Sequence, residues 1–259
     1  MTVPGGVVLA LSGGAVRGVA HIAVLEVLER EGIRVEGIAG TSAGSMVGAL
    51  YAAGVSVEEL KKIALETGWK QFLRPTLPTT GLISSKTISS FMREVLPVKE
   101  FSGLRIPFAA VATELKTGER VVLRSGSLAR AVQASCSLPV VFTPVRVGGR
   151  LLVDGGVASM IPVRTARDEL GGRTVVSVNV NAKALGPERY DSLLAIAVQV
   201  SNLWATRNSR EEERLADVAV SVNASGIPLY DLRKAGELLR RGRAAAETAV
   251  GEIRRHAGR

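Results

Sequence analysis

The sequence is poor in the residues on which several common kinds of chemistry depend. It has one cysteine, Cys136, and two histidines, His21 and His256, among 259 residues. A single cysteine excludes an intramolecular disulfide, and so few thiols and imidazoles supply no zinc cluster. We therefore predict no metal and no cofactor, and we expect Cys136, which has apolar neighbours, to be a buried and inert thiol.

Long apolar stretches and aromatic residues are also scarce. No apolar run reaches the roughly 18 residues that a membrane span requires, and residues 1–4 lack the basic start of a signal peptide. We therefore expect a cytoplasmic protein. Aromatic residues make up 4% of the chain, and none interrupts the basic stretch 240–255. The stacking surfaces of single-strand binders are missing, so no specific nucleic acid is expected.

The charge that is present is mainly basic. The 33 Lys and Arg residues outnumber the 24 Asp and Glu residues, which gives a net charge of +9, and Arg240, Arg241 and Arg243 belong to an arginine-rich C-terminal stretch. Such a stretch attracts anionic phospholipid headgroups, so one interpretation is peripheral association with the inner membrane face. The alternative is a solvated helix face without a partner. No particular oligomeric state is predicted.

Strand-like and helix-like patterns alternate along the chain. Apolar or β-branched runs over 7–12 and 174–180 predict strands, and amphipathic patterns over 19–31, 192–216 and 232–255 predict helices. Alternation of this kind is typical of an α/β fold, here with three layers and a mostly parallel central sheet flanked by helices.

The length and composition favour one domain over the whole chain, 1–259. Hydrophobic residues make up 46% of the sequence, and no repeat or linker divides it. The motifs described below lie in a core over about 7–180, and a helical region covers about 191–259.

Residues 40–44, Gly-Thr-Ser-Ala-Gly, lie between a short apolar run and a helical one. Glycines on both sides of Ser42 permit a tight strand-to-helix turn, which exposes the serine oxygen and points backbone N–H groups at a developing oxyanion. The pattern predicts a nucleophile elbow. The usual histidine base has no obvious source, because we expect His21 to be a helix residue bonded to backbone and His256 to be a solvated tail residue.

Asp154 differs in setting from the other four aspartates of the chain. It follows the apolar run 151–153 and precedes two glycines, which places a carboxylate on a turn at the end of a strand with close backbone approach. This position suits a general base. An Asp-Gly turn that closes a hairpin is the alternative.

A third element is the N-terminal strand, which runs into the glycine loop 13–18 and then a helix. Backbone N–H groups at a helix N-terminus form an anion site. No Lys-Ser or Lys-Thr follows the glycines, as a P-loop requires, and Gly13, Gly14 and Gly18 do not have the spacing of a dinucleotide-binding loop. An oxyanion hole fits this loop better.

Taken together, these elements resemble the patatin-like phospholipases. Four blocks of the sequence carry the resemblance, and they are 11–22, 40–44, 134–145 and the Asp-Gly-Gly block 153–163. The similarity extends over about 7–180. It implies the three-layer patatin-like fold and a hydrolase of lipid or phospholipid acyl esters, of the phospholipase A or lysophospholipase type, that works through an acyl-serine intermediate.

The resemblance also implies roles for individual residues. Ser42 is the nucleophile and Asp154 the general base of a Ser-Asp dyad, without a histidine. The backbone N–H groups of Gly13, Gly14 and Ala15 supply the oxyanion hole. We expect the N–H of Ala43, the residue after Ser42, to join them.

Two positions of the first block need comment. Ala15 stands where many members of the family have a third glycine, and alanine resists a positive φ. Arg17 matches the basic position of the block; it either supports the site or is a solvated residue at the start of a helix.

Three alternatives remain at this stage. The first is an ordinary Ser-His-Asp esterase that uses His256. The second is a lipid-responsive regulatory adaptor on the same fold, with a vestigial dyad. The third concerns the segment 68–97, where large apolar residues lie among prolines and glycines; it is either a lid that forms an apolar wall over the elbow or a loop and helix packed on the core.

Overall fold

The computed structural model describes residues 5–66, 80–184 and 191–258. Within these ranges the chain forms an eight-stranded mixed sheet. The strands are β1 (Val7–Leu11), β2 (Val35–Thr41), β3 (Phe108–Glu114), β4 (Arg120–Leu123), β5 (Val145–Val147), β6 (Arg150–Asp154), β7 (Val175–Ala182) and β8 (Val218–Asn223). The helices are α1 (Val19–Arg30), α2 (Ala43–Ala52), α3 (Val57–Glu66), α4 (Lys86–Val95), α5 (Leu128–Ser135), α6 (Leu193–Glu213) and α7 (Ala235–Ala257).

The centre of the sheet is parallel. The strand order is β5-β6-β3-β2-β1-β7-β8, with β4 paired to β3. Strands β3, β2, β1, β7 and β8 run in the same direction, whereas β4 and β6 pair antiparallel with β3 and β5 pairs antiparallel with β6. Parallel strands deliver their carboxyl ends to one edge of the sheet, and residues that follow β1, β2 and β7 therefore meet there.

Strand β1 shows why the fold has three layers. Its five residues are buried, because alternate side chains enter cores on opposite faces of the sheet: Val7, Leu9 and Leu11 on one face, Val8 and Ala10 on the other. A strand covered on both faces is continuously apolar, as this one is. Each fully buried valine or leucine side chain of this strand contributes roughly 1.5–3 kcal/mol.

The structure confirms the predicted α/β class and the central sheet flanked by helices. The predicted strands and helices are present, although the helix predicted over 192–216 ends at Glu213 and is followed by β8, a strand that was not predicted. Of the segment 68–97, residues 80–97 are described, and α4 buries Ile88 and Met92 in the core. The rest of the lid hypothesis falls on residues 68–79, which lie outside the described residues.

None of the helices in the described ranges is long and apolar enough to cross a membrane.

Candidate active site

Ser42 lies on the turn that joins β2 to α2. Its backbone has φ 51° and ψ −122°, a conformation that costs a non-glycine residue roughly 1–3 kcal/mol and that persists only where the surroundings hold it. The Ser42 N–H donates to Oγ of Ser135 at 2.9 Å. The Ser42 carbonyl oxygen accepts from the N–H of Ser45 at 2.8 Å and from its hydroxyl at 2.7 Å. These bonds hold the predicted elbow.

Both glycines of the elbow are required by close backbone approach. A Cβ at position 40 would lie 2.6 Å from the Cα of Ser45, and a Cβ at position 44 would overlap the carbonyl oxygen of Leu11. The turn is therefore packed against the end of β1 with no room for a side chain. This packing brings the glycine loop that follows β1 next to Ser42.

Asp154 reaches the same place from β6. Thr41 pairs with Val111, and Asp154 pairs with Ala112, the next residue of β3. Strand β4 pairs with both of these β3 residues from the opposite side, so β2 and β6 meet end to end along the same side of β3, which brings Ser42 and Asp154 together. Gly155 permits this close approach, because a Cβ there would meet the carbonyl oxygen of Val111 and lie 3.2 Å from Cγ2 of Thr41.

The Asp154 carboxyl group is buried, with 4% of the residue exposed. Burial raises its pKa to about 6, against the opposing effects of hydrogen bonds from the Ser42 hydroxyl and from the Gly156 N–H. The Gly156 N–H donates to Oδ1 at 2.8 Å. A carboxylate that accepts from a serine hydroxyl and titrates near 6 has the geometry and the basicity of a general base that is ionised at neutral pH.

The glycine loop presents backbone N–H groups beside Ser42. A Cβ at position 13 would lie 3.2 Å from the Ser42 Cβ. Gly14 has φ 154° and Ala15 has φ 47°, so the alanine that replaces a glycine adopts the left-handed backbone that it resists. Within the described ranges no protein acceptor takes up the N–H of Gly14 or Ala15. Ala43 is the first residue of α2, where an N–H has no partner inside the helix.

The structure corrects one member of the predicted oxyanion hole. The Gly13 N–H donates to the carbonyl oxygen of Met160 at 3.1 Å, so it is already used in holding the loop. The donors that this geometry offers an oxyanion are therefore those of Gly14, Ala15 and Ala43.

Arg17 supports this loop and is not a solvated residue. It is 6% exposed, its Nε and Nη2 donate to the carbonyl oxygen of Ile227 at 3.0 and 2.7 Å, and its Nη1 donates to Oδ1 of Asn181 at 3.1 Å. The Asn181 amide in turn donates to the carbonyl oxygen of Gly13 at 2.8 Å. Burial lowers the Arg17 pKa, but a guanidinium stays charged at any physiological pH.

The two histidines lie outside this arrangement. His21 is fully buried, Nε2 lies 2.9 Å from the carbonyl oxygen of Ser12, and burial lowers the pKa to about 4; the prediction of a backbone-bonded helix histidine is confirmed. The carbonyl oxygen of His256 accepts from the hydroxyl of Thr174, at the amino end of β7. Since β7 and β2 both run parallel to β1, His256 is ~20 Å from Ser42 along the strands. The Ser-His-Asp alternative with His256 is therefore wrong.

An apolar cavity of about 440 Å³ opens onto Ser42 and Asp154. Helices α1 to α4 and the segment after α5 supply much of its apolar wall, for example through Ile22, Leu50, Leu60, Ile88, Phe91 and Phe142. Cys136 also lines it and is buried, as predicted. Burial raises the pKa of the Cys136 thiol, which keeps it protonated and poorly nucleophilic. The cavity is of the size and character that accepts a flexible apolar group.

Two residues of this site were missed by the sequence analysis. Ser135, which bonds the Ser42 N–H, lies in the third block of the resemblance but had no role there. Asn181 follows a strongly β-branched run, and a carboxamide at the end of a predicted buried strand is a signal that could have been used. Its two partners, Gly13 and Arg17, are remote in sequence.

The fold and the site together are those of a three-layer α/β protein with a serine on a strand-to-helix elbow. Comparison with known sequences agrees, because a sequence model of the patatin-like phospholipases matches residues 9–167. The chain belongs to the patatin-like phospholipase family.

Individual relatives cover different shares of the two chains. An "uncharacterized NTE family protein" of Mycobacterium bovis is 33% identical over 83% of this chain and 59% of its own length. Human "patatin-like phospholipase domain-containing protein 6" is 34% identical over 68% of this chain but 13% of its own length. "Lysophospholipase NTE1" of Debaryomyces hansenii is 30% identical over 76% of this chain and 13% of its own length. The chain thus spans less than two thirds of each of these relatives.

Among solved structures, VipD from Legionella pneumophila superposes with a TM-score of 0.58, over 98% of this chain and 67% of that one, at 14% identity. This similarity shows the fold alone.

Proposed function

We propose that this protein hydrolyses the carboxylic ester of a lipid acyl chain through an acyl-serine intermediate. The observation that carries the proposal is the hydrogen bond between the Ser42 hydroxyl and the buried Asp154 carboxylate, whose pKa burial raises to about 6. Both groups line an apolar cavity. Membership of the patatin-like phospholipase family supports the same reaction class.

In the proposed first half-reaction, Oγ of Ser42 attacks the ester carbonyl carbon while its proton passes to the Asp154 carboxylate. The N–H groups of Gly14, Ala15 and Ala43 stabilise the oxyanion that forms. The tetrahedral intermediate then collapses, the C–O bond to the alcohol breaks, and the departing oxygen takes the proton from Asp154. An acyl ester of Ser42 remains.

In the second half-reaction water attacks the acyl-serine. Asp154 removes a proton from that water and returns it to Oγ of Ser42 as the free fatty acid leaves. The dyad is regenerated, and no other proton carrier is needed. The buried Asp154 is suited to both steps because its raised pKa brings its proton affinity closer to that of the groups with which it exchanges protons.

The cavity supports an acyl chain as the group on the carbonyl side. Its wall is largely aliphatic and aromatic, so it offers apolar contacts and few hydrogen bonds to a headgroup. The Debaryomyces hansenii relative carries the name lysophospholipase, and a lysophospholipid is therefore one of the substrates to test. The cytoplasmic location expected from the sequence stays part of this proposal.

The test compares Ser42→Ala with Ser125→Ala, which removes the hydroxyl of an exposed serine far from the elbow in sequence. Hydrolysis of p-nitrophenyl butyrate and of a lysophosphatidylcholine is measured on both variants. We expect Ser42→Ala to lose roughly 10³-fold or more in kcat/KM and Ser125→Ala to match the unmodified protein.

If Ser42→Ala kept its activity while its circular dichroism stayed native, Ser42 would not be the nucleophile. If the unmodified protein bound lipid but hydrolysed neither ester, the second reading from the sequence, a lipid-responsive adaptor, would replace the enzyme.

A further inference from the structure

Helix α6 exposes an apolar stripe. Five large apolar side chains on its first twelve residues are 45–87% exposed: Leu193, Ile196, Val200, Leu203 and Trp204. Their spacing of three, four, three and one residues places them on one side of an α-helix. A continuous exposed patch of this kind marks a surface that binds an apolar partner.

The opposite side of α6 is anchored to the body of the protein. Val198, Ala205 and Ser209 are buried, and Glu212 accepts a hydrogen bond from the Ser159 hydroxyl and pairs with Arg120. The Glu213 carboxylate accepts from Asn179 at 3.2 Å. These contacts fix the rotation of the helix, so the apolar stripe faces outward in the folded protein.

The stripe is continuous with the opening of the active-site cavity. Leu203 belongs to the stripe and also lines the cavity, and Gln199 and Thr206 of the same helix line it as well. Tyr230, which is 43% exposed, lies at the rim of the same cavity. A partner on the stripe would therefore lie directly over the entrance through which an acyl chain reaches Ser42.

The same side of α6 continues as a basic surface. Arg207, Arg210 and Arg214 follow the apolar residues at helical spacing and are exposed, with Glu211 as one acidic neighbour. In the described part of the chain none of these three arginines takes part in a salt bridge. Exposed cations without protein partners keep their full attraction for an external anion.

The C-terminal arginines suggested by the sequence are placed differently. Arg241 pairs with Glu237, and Arg243 pairs with Glu26 on α1 at 2.7 Å. Arg241 also donates to the carbonyl oxygens of Asn223 and Ser225. Arg241 and Arg243, two of the three arginines that the sequence suggested for headgroup contact, are thus paired within the protein. The arginines of α6 are better placed to bind an external anion.

We infer that the outer side of α6 docks on an anionic lipid surface, with residues 193–204 inserted at the level of the headgroups and acyl ends and the three arginines on the phosphates. An apolar stripe with a tryptophan and adjacent arginines is the composition of helices that lie in a membrane interface. This inference rests on the proposed function, because it explains how an acyl ester of a lipid reaches the cavity.

The test measures vesicle binding in the Ser42→Ala background, so that the outcome does not depend on hydrolysis. The vesicles are phosphatidylcholine alone or with roughly one third phosphatidylglycerol. We expect stronger sedimentation with the anionic vesicles, and we expect the preference to shrink as salt rises, because exposed charges are screened beyond about 8 Å at physiological ionic strength.

Two sets of variants separate the charges from the apolar contacts. The triple change Arg207→Glu, Arg210→Glu, Arg214→Glu should weaken binding to anionic vesicles by roughly tenfold or more. A matched triple, Arg146→Glu, Arg173→Glu, Arg255→Glu, alters the net charge equally at exposed arginines elsewhere and should have a much smaller effect.

The double change Ile196→Ser, Val200→Ser should weaken binding to both kinds of vesicle by roughly tenfold, whereas Leu115→Ser, at a residue 51% exposed outside α6, should not. With Ser42 restored, each variant should hydrolyse p-nitrophenyl butyrate at the unmodified rate. A loss of vesicle binding with soluble-ester activity intact isolates the surface from the chemistry.

Tryptophan fluorescence gives an independent readout. The chain has two tryptophans, so Trp69→Phe leaves Trp204 as the only one. Its emission should shift to the blue on addition of anionic vesicles and be quenched by brominated lipids. Equal loss in the two arginine triples, or Trp204 emission that vesicles leave unchanged, would overturn the inference. So would a dimer in sedimentation equilibrium that Ile196→Ser, Val200→Ser dissociates, because the stripe would then bind a second copy of the chain.

Discussion

The two edges of the central sheet are built differently. At the carboxyl edge, Ser42 and Ala15 hold positive φ values, and Arg17 and Asp154 are buried polar groups with shifted pKa values. At the amino edge the chain uses exposed turns and surface ion pairs, such as Arg254 with Glu31 at 2.9 Å. Strained backbone and buried charged groups are therefore concentrated at the carboxyl edge, although the same hydrophobic core supports both edges of the sheet.

The difference shows that the chemically useful groups at the carboxyl edge lower the stability of the folded protein. Strained backbone and desolvated carboxylates destabilise the folded state unless the surroundings hold them. Here the holding groups are Ser135 on the elbow and Arg17 and Asn181 on the glycine loop. The contacts described at the amino edge are exposed, so we expect substitutions there to change stability and activity very little.

The largest expected effect is the loss of activity at the carboxyl edge in Asp154→Asn. The carboxamide cannot take the proton of Ser42, so kcat/KM for p-nitrophenyl butyrate should fall roughly 10³-fold or more. His256→Ala, at the amino edge, and Asp191→Asn, at an exposed aspartate, should retain full activity. If His256→Ala were inactive while its fold stayed native, a group at the amino edge would be needed for activity, contrary to this account.

The proposed dyad can be read from the sequence more easily than the groups that hold it in place. Ser42 and Asp154 stand out in the sequence because glycines lie on both sides of Ser42 and directly after Asp154, and each of the two residues follows an apolar run. The Gly13 N–H donates to the carbonyl oxygen of Met160, and the Arg17 guanidinium donates to that of Ile227. These hydrogen bonds join segments that lie far apart along the chain, and no local sequence pattern predicts such contacts.

One missed element did have a local signal. Strand β8 alternates buried and exposed residues over its whole length, with Val218, Val220 and Val222 inside. That period of two is typical of a half-exposed strand. The helical pattern predicted over 192–216 runs up to this strand and obscures where it begins.

The next largest effect should come from the support of the loop. Asn181→Ala leaves the carbonyl oxygen of Gly13 and one N–H of Arg17 without their partner, which should cost about 2–3 kcal/mol in the free energy of unfolding. It should also lower kcat roughly tenfold or more by loosening the oxyanion donors. Asn223→Ala, which removes a hydrogen bond to the exposed Ser225 N–H, is the control. Equal losses of stability and kcat in both variants would show that Asn181 does not specifically support the glycine loop. Urea denaturation and initial rates measure the two effects.

Asp154→Asn should also change how stability depends on pH. The folded-state pKa of Asp154, about 6, lies above its ordinary value of 3.8, so its contribution is fully present below pH 4 and is lost as pH rises through 6. At pH 8 the asparagine variant should therefore be more stable than the unmodified protein by about 1–3 kcal/mol, and at pH 4 the gain should vanish. Urea denaturation at the two pH values measures this, and a gain that did not depend on pH would argue against a buried, ionised Asp154.

A smaller effect is expected from Ala15→Gly. The φ of 47° at this position costs an alanine about 1 kcal/mol relative to glycine, and the variant should be more stable by about that amount. Activity should change little, because the backbone N–H is kept. A thermal midpoint that falls instead of rising would mean that the loop does not adopt this conformation in solution.

The smallest effect should come from the amino edge. Arg254→Ala removes an exposed ion pair with Glu31, and such pairs contribute about 0.2–1 kcal/mol. Hydrolysis should be unchanged. A loss of stability as large as that of Asn181→Ala would show that the two edges are not as different as their contacts indicate.

The most direct test of the dyad is the rate and site of labelling by a fluorophosphonate, which reacts with an activated serine and needs no lipid. Peptide mapping should place the adduct on Ser42, and the rate should fall as pH drops through about 6. A pKa of about 6 is close to that of an ordinary histidine, so histidine variants are needed as controls. The fall in labelling rate at low pH should persist in the double variant His21→Gln, His256→Ala. In Asp154→Asn it should disappear together with nearly all reactivity. Labelling of another serine, or an acid limb that moves with a histidine, would contradict the account.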